Sequence, residues 1–242
     1  MKNTNPNHPF QRLQTELETI ISNTKAGEKL LTEPLLARQL SVSRSTLREA
    51  MRAFEAQGRI RRRQGSGTFV VDKSQVMDAG LEKLESIESI ARQINLPVSM
   101  GRLLIEKIQA DKTLADGMLI ELGQPMLKLS RIIHVEQRPV AYLIDILLEG
   151  LLSEKDLSFG FTGSVLDLLL KSSQVKPDRS FSEIQAVAAS SVIAHALQIQ
   201  RGDVLLHFNA KLYLKSGQIV DHSESYFLPG YFRFHVVRTV GV

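Results

Sequence analysis

Apolar residues recur along this chain with two periods, and the change of period divides it. From Phe10 to Phe54 the spacing is helical. Leu13, Leu17, Ile20 and Ile21 predict a first helix over Phe10–Ser22. Pro34–Leu40 predicts a second, with Pro34 in the first turn, where a missing N–H costs little. Ser41-Val42-Ser43 breaks the pattern. A third helix starts at Arg44 with Ser43 as N-cap, and Leu47, Ala50, Met51 and Phe54 fall at i, i+3, i+4 and i+7. Gly58 stops it. Ile60–Arg63 and Thr68–Val71 then read as two short strands around Gln64-Gly65-Ser66-Gly67, a turn rich in residues that accept positive φ.

Asp72–Gly80 is polar and reads as a bridge. Leu81–Ile94 predicts a helix with Leu84, Ile87, Ile90, Ala91 and Ile94 on one side, ended by Asn95-Leu96-Pro97. From Val98 onward strands dominate. Met126–Glu136 and Val140–Glu149 flank Gln137-Arg138-Pro139 as a hairpin, and Val204–Leu214 and Gln218–Phe227 flank Lys215-Ser216-Gly217 as a second. Gly163–Ser172 predicts a helix with Val165, Leu166, Leu169 and Leu170 inward. Phe181–Val187 is a strand running into a helix over Ala188–Leu197, and Phe234–Val237 closes the chain as a last strand. Helices in the long connections of antiparallel strands make the second part an α+β domain. The expected division is residues 1–75 and 76–242, with residues 1–9 a loose arm.

Charge follows the same division. Residues 1–73 hold 13 Lys+Arg against 7 Asp+Glu, whereas the remainder holds 17 against 19, so the net charge of +4 comes wholly from the first part. A basic helix–turn–helix–hairpin suits DNA. The third helix fits a major groove with its first turn at the base edges. Arg44 and Arg48 are candidates for bidentate pairs with guanine, and Ser43, Ser45 and Thr46 offer hydroxyls for phosphate. Arg59, Arg61, Arg62 and Arg63 flank the hairpin tip with charge for phosphate, and Gly65, Ser66 and Gly67 let backbone approach a minor groove.

These residues also carry a resemblance. Gly27, Leu31-Thr32-Glu33, Leu36-Ala37, Val42 through Arg48, Ala50, Gly58 and Gly65 through Val70 are similar to the winged helix-turn-helix of the GntR family of bacterial regulators. The resemblance spans residues 10–72 and implies operator contacts at Arg38, Arg44, Thr46, Arg48 and the wing glycine. Leu31-Thr32-Glu33-Pro34 replaces the family's usual Leu-Pro-Ser-Glu, a change at a helix cap.

The second part resembles the effector-binding UTRA domain of the HutC-type branch of that family. The residues that carry it are Leu129-Ser130-Arg131, Arg138 through Ala141, Leu166, Ala194 with Leu197, Gly202 through Leu205, and Tyr226 to Phe234. The resemblance implies a chorismate-lyase-like fold, a small metabolite bound inside it, and a homodimer. Strand alternation puts Asp221, Ser223, Ser225 and Phe227 on one face, and Ala141, Leu143 and Asp145 on one face of a hairpin strand. In the family, positions matching Asp221, Ser225 and Phe227 face the ligand, and Arg131 matches an arginine that meets an anionic group. Sugar-phosphate sensors of this branch tend to carry a second arginine where this chain has Ile133, Ser and Thr where it has Glu82, Lys83 and Glu85, and a glutamate where it has Leu143. A carboxylate beside phosphate is unfavourable. The expected effector is therefore less anionic, bearing an amine or hydroxyl.

Other chemistry finds little footing. Cys is absent, which removes disulfides, a thiol nucleophile and Cys-based zinc. The histidines His8, His134, His195, His207, His222 and His235 form no H-x-x-x-H pair, so no metal is expected. No nucleophile elbow and no phosphate loop occur, so neither a catalytic residue nor a cofactor is assigned. The expected partners are double-stranded operator DNA, a small-molecule effector and a second copy of the chain. No run of 18 apolar residues and no apolar N-terminal segment occur, which points away from a membrane and toward the cytoplasm. The competing reading is an enzyme of chorismate-lyase-like fold fused to a DNA-binding module.

Overall fold

A computed structural model describes residues 9–63, 65–158, 161–172 and 175–240. The arm at residues 1–8, with His8, and the hairpin-tip Gln64 lie outside these. The chain forms two compact units, Met1–Val76 with Pro229–Tyr231, and Met77–Leu228 with Phe232–Val242.

The first unit holds α1 (Pro9–Asn23), α2 (Glu33–Gln39) and α3 (Arg44–Ala56), followed by the antiparallel β1 (Ile60–Arg63) and β2 (Gly67–Val70). Its core is the stripe read from the sequence: Leu47, Ala50, Met51 and Phe54 of α3 are buried against Leu13, Leu17 and Ile21 of α1, Leu36 of α2, and Ile60 of β1. Side chains three and four apart share a helix face, which is why these positions meet. Ser43 caps α3 by accepting a hydrogen bond from the Thr46 N–H at 3.1 Å. A 3-10 turn, Lys73–Gln75, ends the unit.

The second unit begins with β3 (Met77–Gly80), α4 (Ile87–Gln93), β4 (Val98–Gln109), α5 (Lys112–Met118), β5 (Pro125–Val135) and β6 (Arg138–Leu148). It continues with α6 (Glu154–Ser158), α7 (Val165–Lys171), β7 (Pro177–Ala188), α8 (Ser191–Leu197), β8 (Val204–Leu214), β9 (Ile219–Phe227) and β10 (Phe232–His235). Six strands form one antiparallel sheet in the order β4-β5-β6-β9-β8-β7. Val165 and Leu169 of α7 pack on Leu127, Leu129, Leu147 and Leu212 of the sheet, whereas Ile193, Ala194 and Leu197 of α8 form a separate cluster with Leu205, Tyr142 and Tyr226. The β5–β6 turn is made by Glu136 and Gln137, both at positive φ (49° and 64°), the conformation that matches hairpin twist.

Three expectations fail here. The end of Asp72–Gly80 is a strand rather than part of a polar bridge, because Met77–Gly80 pairs in parallel with β10 and buries Met77 and Ala79. The helix expected over Leu81–Ile94 starts only at Ile87, where Ser86 accepts from the Ser89 N–H at 3.1 Å. Leu81 and Leu84 stay exposed, at 41% and 50%, because a cap at Ser86 leaves them outside the helical register. Leu170 points out rather than in, at 58% exposure.

Candidate DNA-binding surface and effector site

The N-terminal end of α3 carries the residues expected to face DNA. Arg44, Ser45, Thr46 and Arg48 are exposed, as are Ser43 before them and Arg38 at the end of α2. Ser43 Oγ lies 2.8 Å from both Ser45 Oγ and Thr46 Oγ1, so the cap orders the hydroxyls of the first turn. Arg48 Nε donates to Glu33 Oε2 at 2.7 Å, which fixes its direction across the α2–α3 turn. A partly exposed pair of this kind is worth about 0–1 kcal/mol, so it holds Arg48 only weakly. In the hairpin, Gly65 and Gly67 have φ of 74° and 112°, a region that side chains rarely adopt, and Gly65 and Ser66 are exposed at the tip.

The arginines of β1 divide in a way that charge counting missed. Arg61 is buried at 6% exposure, donates to the Gly230 carbonyl and lies 4.0 Å above the Tyr231 ring. The phosphate role expected for Arg61 is therefore wrong: the guanidinium holds the three-residue segment Pro229–Tyr231 instead. Strand alternation sets Arg61 and Arg63 on one face and Arg62 on the other, but it does not tell which of them is buried. Arg62 faces Glu55 of α3 with Nε 3.1 Å from Oε2, and Arg63 stacks on Phe69 at 4.5 Å. Arg59 donates two hydrogen bonds of 2.8 Å to Glu18.

In the second unit the nominated effector residues lie on neighbouring strands in the central sheet. Leu143 stands between Arg131 and Ser225, and Asp145 is opposite Ser223. Phe227 is opposite Ala141, and Asp221 opposite Leu147. Arg131 and Asp145 form a buried ion pair, 4% and 9% exposed at their side chains, and Arg131 Nε donates to the Gly163 carbonyl. Asp221 is buried beside them, and its Oδ1 has no hydrogen-bond partner. Burial pushes the Asp221 carboxyl well above the usual range, and the Asp145 charge pushes it the same way. Phe227 stands in an aromatic group with Phe208, Phe232 and Phe234, at centroid distances of 5.2, 4.8 and 5.0 Å.

Two groups that the sequence does not single out lie beside the Arg131–Asp145 pair. Glu88 of α4 turns inward: its Oε1 is buried without a partner, its carboxyl is raised mainly by burial, and the Arg131 charge reaches it. Gly163 sits so close that a Cβ there would lie 2.9 Å from both Glu88 Oε1 and Ile133 Cδ1, and its φ of 119° excludes most side chains. Glu82 and Lys83, flagged earlier, are exposed, and Lys83 bonds to Glu85 at 3.0 Å. Spacing gave no means to separate Glu88 from those neighbours until the true start of α4 was known.

The sequence model of the UTRA domain matches residues 97–233, and that of the bacterial regulatory proteins of the gntR family matches residues 11–70. The chain is a GntR-family regulator with a UTRA domain. It is 26% identical over 223 residues to the transcriptional repressor NagR of Bacillus subtilis, covering 89% of this chain and 88% of that one. To the mannosyl-D-glycerate transport/metabolism system repressor MngR of Escherichia coli it is 24% identical over 218 residues, covering 88% of each. The crystal structure of PhnF from Mycobacterium smegmatis shares its fold, with a TM-score of 0.65 at 20% identity over 95% of this chain and 100% of that one. This GntR-family chain is thus a ligand-responsive, DNA-binding transcription regulator, and the enzyme reading falls away, since the relatives are regulators. Among the described residues no helix is long and apolar enough to cross a membrane.

Proposed function

We propose that this regulator is a cytoplasmic repressor. It binds a palindromic operator as a homodimer, and a small metabolite seated on Arg131, Asp145, Asp221, Ser225 and Phe227 changes its hold on DNA. The observation that carries this reading is the conjunction, in one chain, of an exposed α3 N-terminus with a sheet face that buries an ion pair and, beside it, the Asp221 carboxyl, whose Oδ1 has no hydrogen-bond partner. Buried charge of this kind is a cost to folding alone, and clusters of it mark sites of function. Relatives named as repressors support the sign of regulation. Support for a dimer comes from β7, a long edge strand that leaves Phe181 and Ile184 exposed at 59% and 40%, an apolar edge that another chain would cover.

Readout at the operator gives one test. Arg44 and Arg48 read bases in this scheme. Arg48→Ala is expected to weaken operator binding by about 1–3 kcal/mol and to relax preference at one base position. Gel-shift titration against operator variants checks it, and unchanged affinity with unchanged preference would remove Arg48 from the recognition surface.

Coupling gives another. If the metabolite weakens operator binding by some factor, the operator must weaken metabolite binding by the same factor. Calorimetric titration of the metabolite into free protein and into the protein–operator complex is expected to return different affinities. Identical affinities would mean that the two sites do not communicate.

A further inference from the structure

We propose that β7 pairs antiparallel with β7 of a second copy of the chain, about a two-fold axis through Ile184. The inference rests on the homodimer reading above and adds the surface and the register. β7 is the last strand in the order β4-β5-β6-β9-β8-β7, so its outer N–H and C=O groups have no strand beside them among the described residues. Both of its faces are open as well, since Phe181 through Ala186 are exposed without a break. The usual protections of a free edge are missing here. The register with β8 runs uninterrupted from Arg179 to Ala188, and that span holds no proline, lysine or glycine. The opposite edge, β4, shifts register between Met100 and Leu103 and carries Lys107.

The residues of the strand point to its own copy as the partner. A two-fold axis perpendicular to a sheet keeps each side chain on its face, so opposite residues differ by an even number and the axis passes through a residue. Around Ile184 the strand nearly mirrors itself. Gln185 answers Glu183, Ala186 answers Ser182, Val187 answers Phe181 and Ala188 answers Ser180. Pairing about this centre lays the exposed Phe181 against Val187 of the second copy, and the exposed Ile184 against its own equivalent. Aromatic with β-branched is a pair that stabilises neighbouring strands. The Gln185 amide can then donate to the Glu183 carboxylate across the seam, once in each direction. Other centres fit worse. An axis through Arg179 or Glu183 sets like charges opposite each other. One through Ser180 or Ser182 sets Phe181 against Arg179 or Glu183, and one through Phe181 sets Ile184 against Asp178. An axis through Gln185 sets Glu183 against Val187, and one through Ala186 leaves Phe181 beyond the paired segment, since β7 ends at Ala188.

Disulfide trapping in the full chain tests the register. The chain has no cysteine, so a single introduced one is its only thiol. Opposite residues of antiparallel strands have Cα atoms about 4.5–5.5 Å apart, within reach of a disulfide. Under mild oxidant at micromolar concentration, Ile184→Cys is expected to form a covalent dimer at least ~10-fold faster than Ser216→Cys, an exposed turn position that reports random collision. Phe181→Cys and Val187→Cys are each expected to react at that background rate. The two together are expected to cross-link, because along one strand they stand about 20 Å apart and cannot close on each other. Ile184→Lys puts two ammonium groups face to face and is expected to turn the sedimenting dimer into a monomer, with the circular dichroism spectrum of the parent retained. Background reactivity of Ile184→Cys, or fast cross-linking of Phe181→Cys alone, would overturn the register. A dimer that persists in Ile184→Lys would overturn the β7 edge while leaving the homodimer reading in place. A parent chain that sediments as a monomer would remove that reading, and the edge with it.

Discussion

Asp145→Ala is expected to destabilise the second unit by about 3–5 kcal/mol, because it strands the Arg131 guanidinium in the interior with the Gly163 carbonyl as its remaining named partner. The Arg131–Asp145 pair joins adjacent central strands, β5 and β6, so the damage falls where the sheet is most enclosed. In a protein of this length that loss corresponds to a midpoint lower by about 6–20 °C. The pair itself need not be a net stabiliser, since its desolvation cost rivals its attraction. Replacing both partners together, Arg131→Met with Asp145→Leu, is therefore expected to recover most of the loss while abolishing the effector response. Urea unfolding of the parent, the single variant and the double variant checks this. A single variant costing under about 1 kcal/mol would mean that Arg131 reaches water and that the site is open rather than buried.

That distinction bears on why the effector site was only half legible in the sequence. Alternation sufficed to put Leu143 with Asp145 on one face of their strand and Ser225 with Phe227 on one face of theirs, and the register of β6 with β9 makes these the same face of the sheet. Arg131 was placed by resemblance, and the register opposite Leu143 sets it beside them. Nothing local, however, tells whether an arginine is free to meet an anion. Arg131 is not, and its partner Asp145 lies 14 residues away in sequence. Arg61 repeats the lesson at longer range, since its hydrogen-bond acceptor is 169 residues away. Glu88 was hidden for a different reason: Ile90 and Ala91 are buried as the apolar spacing expects, but that spacing carries no signal for a lone carboxyl turned inward beside them. The winged unit was easier because its signals are short-range, with a cap three residues long, a stripe within α3 and a hairpin closed by glycines.

The same contrast shapes what the recognition surface does alone. Among the described residues of the α3 N-terminus, Arg44, Ser45, Thr46 and Arg48 occupy little more than one helical turn. One such surface spans only a few base pairs and supplies modest specificity. In the homodimer proposed above, a second copy at a fixed distance would supply the specificity that one surface lacks.

For the full-length chain, affinity for a complete palindrome is therefore expected to exceed affinity for an isolated half-site by about 10²–10⁴-fold. Two recognition helices reach successive major grooves on one side of B-DNA when they stand about 34 Å apart, one helical turn. Each helix engages with the same modest contacts in both cases. The gain comes from the second helix, held in place by the dimer, binding as an intramolecular event at high effective concentration. Lengthening the spacer between half-sites by about half a turn should remove most of that gain, since one helix then faces away from its groove. Restoring a full turn should recover part of it only if the two units can reorient. Fluorescence anisotropy with half-site, full-site and spacer-shifted duplexes at one salt concentration measures all of these, the fixed salt being essential because phosphate contacts make every affinity salt-dependent. Sedimentation of the free protein at micromolar concentration supplies the complementary observation. A monomer that binds half-site and full-site DNA equally well would leave the exposed Phe181 and Ile184 of β7 without the partner proposed for them, and the homodimeric repressor would have to be abandoned.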